Sequence, residues 1–168
     1  YVNGEIYYGI KTGLNKAFII DEKRKSELIK EDPTSAEVIK PFLLGKDIKR
    51  YEVPDSEGKY LIFSRHGIDI KQYPAILSHL KQFKTELMPR PRDWVGQWEG
   101  RKSGAYEWYE VQDTIDYHAE FNKSKIIYPD IAPRGYFTFD PMGEFYCANT
   151  VYFIVTDQKY LLGILNSR

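Results

Sequence analysis

Apolar residues fall at helical spacing most clearly after Pro74, where Ile76, Leu77, Leu80, Phe83 and Leu87 recur at intervals near 3.6. The pattern predicts a helix with Pro74 in its first turn, a core-facing stripe, and an end at Pro89 and Pro91. His79 lies off that stripe without a metal-binding neighbour at helical spacing, so it reads as a surface or packing residue. A second helix is expected from an Asp21 cap to Glu31, largely exposed because Leu28 and Ile29 offer only a small apolar patch before Asp32-Pro33. Short helices are expected at residues 35–39 and 116–122. A last one, capped by Asp157, carries a packing face of Leu161, Leu162, Ile164 and Leu165.

Elsewhere the pattern is that of strands. Residues 5–11 and 16–20 are rich in Tyr and Ile and flank Thr12-Gly13-Leu14-Asn15, which predicts a hairpin. Residues 60–64 form another candidate, and residues 125–131 make an apolar run long enough to be central in a sheet. Residues 136–139 and 144–147 are expected to pair as a hairpin around Asp140-Pro141-Met142-Gly143, followed by a buried strand at 150–155. Strands and helices alternate irregularly, with no repeat, low-complexity tract or Gly/Ser linker. The expectation is one α+β domain: a mainly antiparallel twisted sheet with several flanking helices.

Composition narrows the class. The chain has 168 residues, enough for one domain with its own core, with 42% hydrophobic and 29% charged residues and no long apolar run. No membrane role is expected. One cysteine, Cys147, excludes an internal disulfide and a cysteine-based zinc site, and His66, His79 and His118 are far apart in sequence. A reducing, cytoplasmic compartment follows as the simpler expectation.

The formal net charge is zero, which is unusual for a freestanding nucleic-acid binder, yet the charge is unevenly placed. Residues 39–51 hold Lys40, Lys46, Lys49 and Arg50 against Asp47, between apolar positions. There Pro41 stops a helix, Gly45 permits a turn, and Asp47 can cap a short turn that carries Lys49 and Arg50 outward. Residues 81–92 hold Lys81, Lys84, Arg90 and Arg92 against Glu86, whereas residues 106–120 hold Glu107, Glu110, Asp113, Asp116 and Glu120 without Lys or Arg. An electrically two-faced domain is expected, with its basic face meeting phosphate.

Three stretches have recognition chemistry. The loop with Lys11, Thr12, Asn15 and Lys16 combines charge, an amide able to pair with adenine, and a glycine that lets the backbone approach; an ordinary hairpin tip is the alternative. Residues 90–108 mix Arg90, Arg92, Arg101 and Lys102 with Trp94, Trp98, Trp108 and several glycines. Arginine reads guanine and grips phosphate, while at least two of the three Trp are expected to pack. Finally, Pro133-Arg134-Gly135 would project a guanidinium from the end of a rigid strand.

Four blocks in order then carry a resemblance: residues 9–18 (Gly-Ile-Lys-Thr-Gly-Leu-Asn-Lys-Ala-Phe), residues 39–51, residues 125–132 (Lys-Ile-Ile-Tyr-Pro-Asp-Ile-Ala) and residues 160–167 (Tyr-Leu-Leu-Gly-Ile-Leu-Asn-Ser). Together they resemble the TaqI-like C-terminal specificity domain, the target recognition part of bacterial adenine-specific DNA methyltransferases and of type II enzymes that combine methylation with cleavage. The resemblance implies duplex DNA as partner. Lys11, Thr12, Asn15, Lys16, Lys46, Lys49 and Arg50 would mainly position phosphates, and Arg90, Arg92, Arg101, Lys102 and Arg134 would be the candidates for base readout. It also implies that residues 1–168 are a piece of a longer protein, with an N-terminal methyltransferase domain on the same chain that binds S-adenosylmethionine.

Catalytic parts are missing from the sequence itself. The Asn-Pro-Pro-aromatic motif of the related methyltransferases and a Gly-rich strand-to-helix turn for the methyl donor are absent. Pro54-Asp55 and Glu57-Gly58-Lys59 are too close together to bring two acids from separate strands to one magnesium. No catalytic residue, metal site or cofactor is therefore assigned to this domain. Two other readings stay open: one recognition half of a multisubunit restriction specificity protein, which would continue past Arg168 into a long helix and a second recognition domain, and an aromatic-rich sugar- or peptide-binding module, given fourteen Tyr.

Overall fold

Short blocks of β-branched and aromatic residues form the strands β1 (Ile6–Tyr8), β2 (Ile19–Asp21), β3 (Ile39–Leu43), β4 (Lys59–Ile62), β5 (Lys125–Pro129), β6 (Thr138–Asp140), β7 (Tyr146–Cys147) and β8 (Val151–Val155). The helices are α1 (Asn15–Phe18), α2 (Glu22–Glu31), α3 (Pro74–Lys81), α4 (Lys84–Leu87) and α5 (Lys159–Leu165), with several 3₁₀ turns between them. The computed structural model describes residues 6–132 and 135–167. The class is α+β with mainly antiparallel pairing, as expected. The chain falls into two compact units, each assembled from separated stretches. One gathers residues up to 10, 41–59 and from 116 onward; the other gathers 11–40 and 60–115.

The first unit is built on the antiparallel sheet β1-β8-β5-β6. The apolar run read as a central strand is central, with Ile127 opposite Phe153 on one side and Thr138 on the other. Ile126, Ile127, Val151 and Phe153 are buried, and Phe121 stacks on Tyr146 with centroids 4.7 Å apart. Lys125 and Asp140 face each other directly across β5 and β6, fully buried, with Nζ 2.6 Å from Oδ2. Lys125 also donates to the Phe121 carbonyl at 2.6 Å, and Asp140 accepts from the backbone N–H groups of Gly143, Glu144 and Phe145. Burial lowers the Lys125 pKa, against the pull of the Asp140 carboxylate.

That carboxylate also explains a departure from the expected hairpin at residues 136–147. Asp140 gathers the following turn onto its own oxygens, with Gly143 in the left-handed region at φ 67°, so the chain leaves β6 without folding back on it. β7 pairs instead in parallel with β3, Phe42 opposite Tyr146 and Leu43 opposite Cys147. Burial pushes the Cys147 thiol up to about 12. At the far end, Asp157 does not cap α5; Gln158 occupies the cap position without a side-chain bond. The end of α5 is held by buried Asn166, whose amide accepts from Phe137 N at 3.1 Å and donates to Phe137 O at 2.8 Å. Leu161, Leu162 and Leu165 are half-buried, while Ile164 of the expected packing face is exposed.

In the second unit α2 has its Asp21 cap, which accepts from Arg24 N at 2.7 Å, and buries Leu28. The Pro74 helix forms but breaks at residues 82–83 into α3 and α4, whose Ile76, Leu80 and Leu87 are fully buried. His79 is a packing residue. Its Nε2 lies 3.0 Å from the Ala17 carbonyl and its Nδ1 3.3 Å from Arg24 Nε, contacts that suit the neutral ring, and burial lowers its pKa. The hairpin expected at residues 5–20 does not form, since β1 pairs with β8 and residues 15–18 are helical. Adjacent Ala17 and Phe18 are both fully buried, which a strand with alternating faces cannot provide. The helices expected at 35–39 and 116–122 are 3₁₀ turns, Pro33–Glu37 and His118–Asn122, and Ile39 already opens β3.

Candidate nucleic-acid interface

Residues 88–110 of the second unit have almost no regular structure, and one side chain supplies what a ladder would. Arg101 is 4% exposed. Its Nε donates to Leu87 O at 2.8 Å, Nη1 to Thr12 O at 3.0 Å and Glu110 O at 2.7 Å, and Nη2 to Glu107 O at 3.2 Å and Trp108 O at 3.0 Å. Five donors meet five carbonyls, so nothing is left for a base or phosphate. Its backbone adds bonds to Met88 O and from Arg90 N. Burial lowers the guanidinium pKa to about 10, still protonated at neutral pH. Arg101 was expected to read bases; it organises the loop instead.

Gly13 and Gly100 permit that arrangement. A Cβ on Gly13, which sits at φ +80°, would lie 2.7 Å from Arg101 Cδ, and one on Gly100 would run into the Met88 carbonyl. Glu110 completes the loop from inside, its buried carboxylate accepting from Gly67 N at 2.7 Å and Glu107 N at 2.8 Å. Part of the expected acidic face is thus internal structure.

With Arg101 buried, its loop neighbours point outward. Arg90, Arg92 and Lys102 are exposed, and only Arg90 has a described side-chain partner, Ser103 Oγ at 3.4 Å. Trp98 and Trp108 are half-buried, as packing residues should be, whereas Trp94 is 48% exposed. Trp94, Trp98, Met88, Thr85 and Lys84 line a pocket of about 530 Å³ that residue types alone did not reveal. The first recognition loop divides in the same way. Thr12 is buried and donates to Asn15 Oδ1 at 2.7 Å; Lys11 is half-buried; Asn15 and Lys16 are exposed, with Lys16 paired to Glu86 at 2.6 Å.

In the first unit the basic stretch after β3 is anchored by Asp47. Its buried carboxylate accepts from Leu44 N at 2.9 Å and pairs with Lys59 at 3.1 Å. Lys46 and Lys49 project from it into solvent; Lys49 lies 3.5 Å from Glu52. Arg50 is half-buried, its guanidinium 5.1 Å from the Tyr51 ring and its Nε without a hydrogen-bond partner among the described residues. Lys46 borders a cleft of about 430 Å³ with Pro129, Asp130 and Thr150, and Asp130 is exposed. Arg134 lies outside the described residues. Among the described residues no cluster of His, Cys, Asp and Glu could hold a metal ion, and no helix is long and apolar enough to cross a membrane.

The model of the TaqI-like C-terminal specificity domain matches residues 40–168, and the chain belongs to that family. No curated protein matches. Among solved structures, the Type IIL restriction-modification enzyme MmeI, solved in complex with DNA, is similar over 96% of this chain, with 16% sequence identity and a TM-score of 0.58. The likeness is one of fold, and this chain spans 20% of the length of that one.

Proposed function

We propose that this chain is the DNA target recognition domain of a restriction-modification protein that methylates adenine. It selects the site and catalyses nothing itself. The observation that carries this reading is the division of labour among the basic residues: Arg101 is consumed in fixing the loop, and Arg90, Arg92 and Lys102 are presented to solvent from the backbone it fixes. Rigid presentation is what base reading demands. Family membership and the fold shared with a DNA-bound restriction-modification enzyme support the same conclusion.

In this reading Arg90, Arg92 and Lys102 contact bases or phosphates, while Lys16, Lys46 and Lys49 hold phosphates and set register. A methyltransferase domain on the same chain would bind S-adenosylmethionine and perform the transfer in the cytoplasm. The test is selection of the chain against a pool of random duplexes at several salt concentrations. An enriched motif with affinity falling steeply as salt rises is expected, and loss of one phosphate contact, as in Lys46→Ala, should reduce the salt slope by about 1. No retention at low salt by either this chain or the full-length parent protein would reject the reading.

A further inference from the structure

The pocket lined by Trp94 and Trp98 offers an aromatic wall, and the hollow beside it offers a cationic one. The two indoles meet edge to face with centroids 5.1 Å apart. Each is held by its N–H, Trp94 donating to Gln97 O at 3.0 Å and Trp98 to Met88 O at 3.1 Å. Their carbon surfaces are thereby left to a largely apolar space of about 530 Å³, several times the size of a nucleobase, with Lys84 and Glu99 among its lining residues. Trp98 and Gly100 also line a second hollow of about 470 Å³, whose other walls include Arg90, Lys102 and Ser103. Two shared residues put an aromatic slot and a cationic shelf side by side. A purely apolar ligand would have no use for the shelf. A fully paired duplex offers phosphates but keeps its base faces stacked on one another. The ligand that uses both hollows has a planar ring joined to a phosphate.

We propose that the paired hollows take one unstacked nucleotide of the bound DNA, its base against Trp94 and Trp98 and its phosphate at Arg90 and Lys102. The inference rests on the DNA-recognition reading and adds that the duplex is opened at one position against this domain. Every base has a π-face, so the slot selects for being unpaired more than for identity, while Gln97 and Glu99 supply polar groups for the edge of the base. Trp94 is the residue to test, because at 48% exposure its ring can be removed without opening the core.

The experiment uses the whole chain and three labelled DNAs of one sequence: a perfect duplex, the same duplex with a single unpaired adenosine, and the single strand. Anisotropy and tryptophan quenching are read for the native protein, Trp94→Leu and Trp94→Phe. The bulged duplex should bind about tenfold more tightly than the perfect one and quench fluorescence. Trp94→Leu should erase that preference, weakening the bulged duplex by about tenfold more than the perfect one, and Trp94→Phe should keep part of it. Equal binding of both duplexes by the native protein, or a preference that survives Trp94→Leu, overturns the inference while duplex binding stands. Trp94-dependent quenching by the single strand with neither duplex bound supports the nucleotide slot and removes the duplex reading. Binding of none of the three overturns both.

Discussion

In the sheet of the first unit the backbone satisfies itself: β5 is bonded on both sides, and the buried Lys125–Asp140 pair serves mainly the turn that follows β6. The loop at residues 88–110 of the second unit has one short bridge between Pro89 and Arg101, and a single guanidinium ties three of its carbonyls, at 107, 108 and 110, to those of Thr12 and Leu87. Each region buries a cation, with different compensation. Lys125 is neutralised by a carboxylate, whereas Arg101 is solvated by carbonyl dipoles, that of Glu110 among them, and the Glu110 carboxylate contributes only through its charge. A regular element can lose a side chain and keep its backbone bonds. An irregular loop built round one residue cannot, and this is why the loop can be both rigid and open to ligand.

Removing Arg101 should therefore have the largest effect. Arg101→Met leaves five carbonyls without their donor and should cost about 4 kcal/mol in denaturant unfolding. Hydrogen exchange should rise across residues 87–111 while β5 and β8 stay protected. Arg101→Lys, with three donors on a point charge, should recover only part of the loss. If β5 and β8 lose protection together with the loop, the contrast between the two regions is wrong.

Asp140→Ala comes next, at about 3 kcal/mol, since it leaves Lys125 buried and unpaired and frees three backbone N–H groups. Asp140→Ala combined with Lys125→Met should be less damaging than Asp140→Ala alone, because the uncompensated charge is gone. A double variant at least as unstable as the single one would show that Asp140 matters for its turn alone.

A smaller effect is expected at His79, which divides burial from charge within the second unit. Burial lowers its pKa from 6.5, so the unfolded chain binds a proton more readily than the folded one. Stability is then full above about pH 6.5 and declines as pH falls below it toward the lower folded pKa. His79→Gln should flatten that part of the pH profile in thermal melts.

Smallest of all are Arg92→Ala and Lys102→Ala, exposed side chains on the loop that Arg101 holds. Stability should change by less than about 0.5 kcal/mol. Duplex affinity should nonetheless fall, by about tenfold for a base-reading arginine. Unchanged DNA binding in both variants would confine recognition to other surfaces.

Residue type and spacing determined much of this protein: the Asp21 cap, the Pro74 helix with its buried Ile76, Leu80 and Leu87, the central position of β5, the α+β class and the family, whose match over residues 40–168 takes in three of the four ordered blocks and leaves out residues 9–18. These are local or periodic signals, written within a few residues of where they act. What tertiary structure decided is where each polar group finds its partner. Sequence treats Arg101 and Arg92 alike, yet one meets carbonyls contributed by residues 12, 87, 107, 108 and 110 and the other meets solvent. Asp140 likewise turns an expected hairpin into a parallel partner for β3 by drawing three N–H groups to itself. The pocket lined by Trp94 and Trp98 lies on the loop that Arg101 ties to carbonyls distant in sequence. Burial of a charge depends on all its surroundings at once, and those are assembled only when the chain has folded.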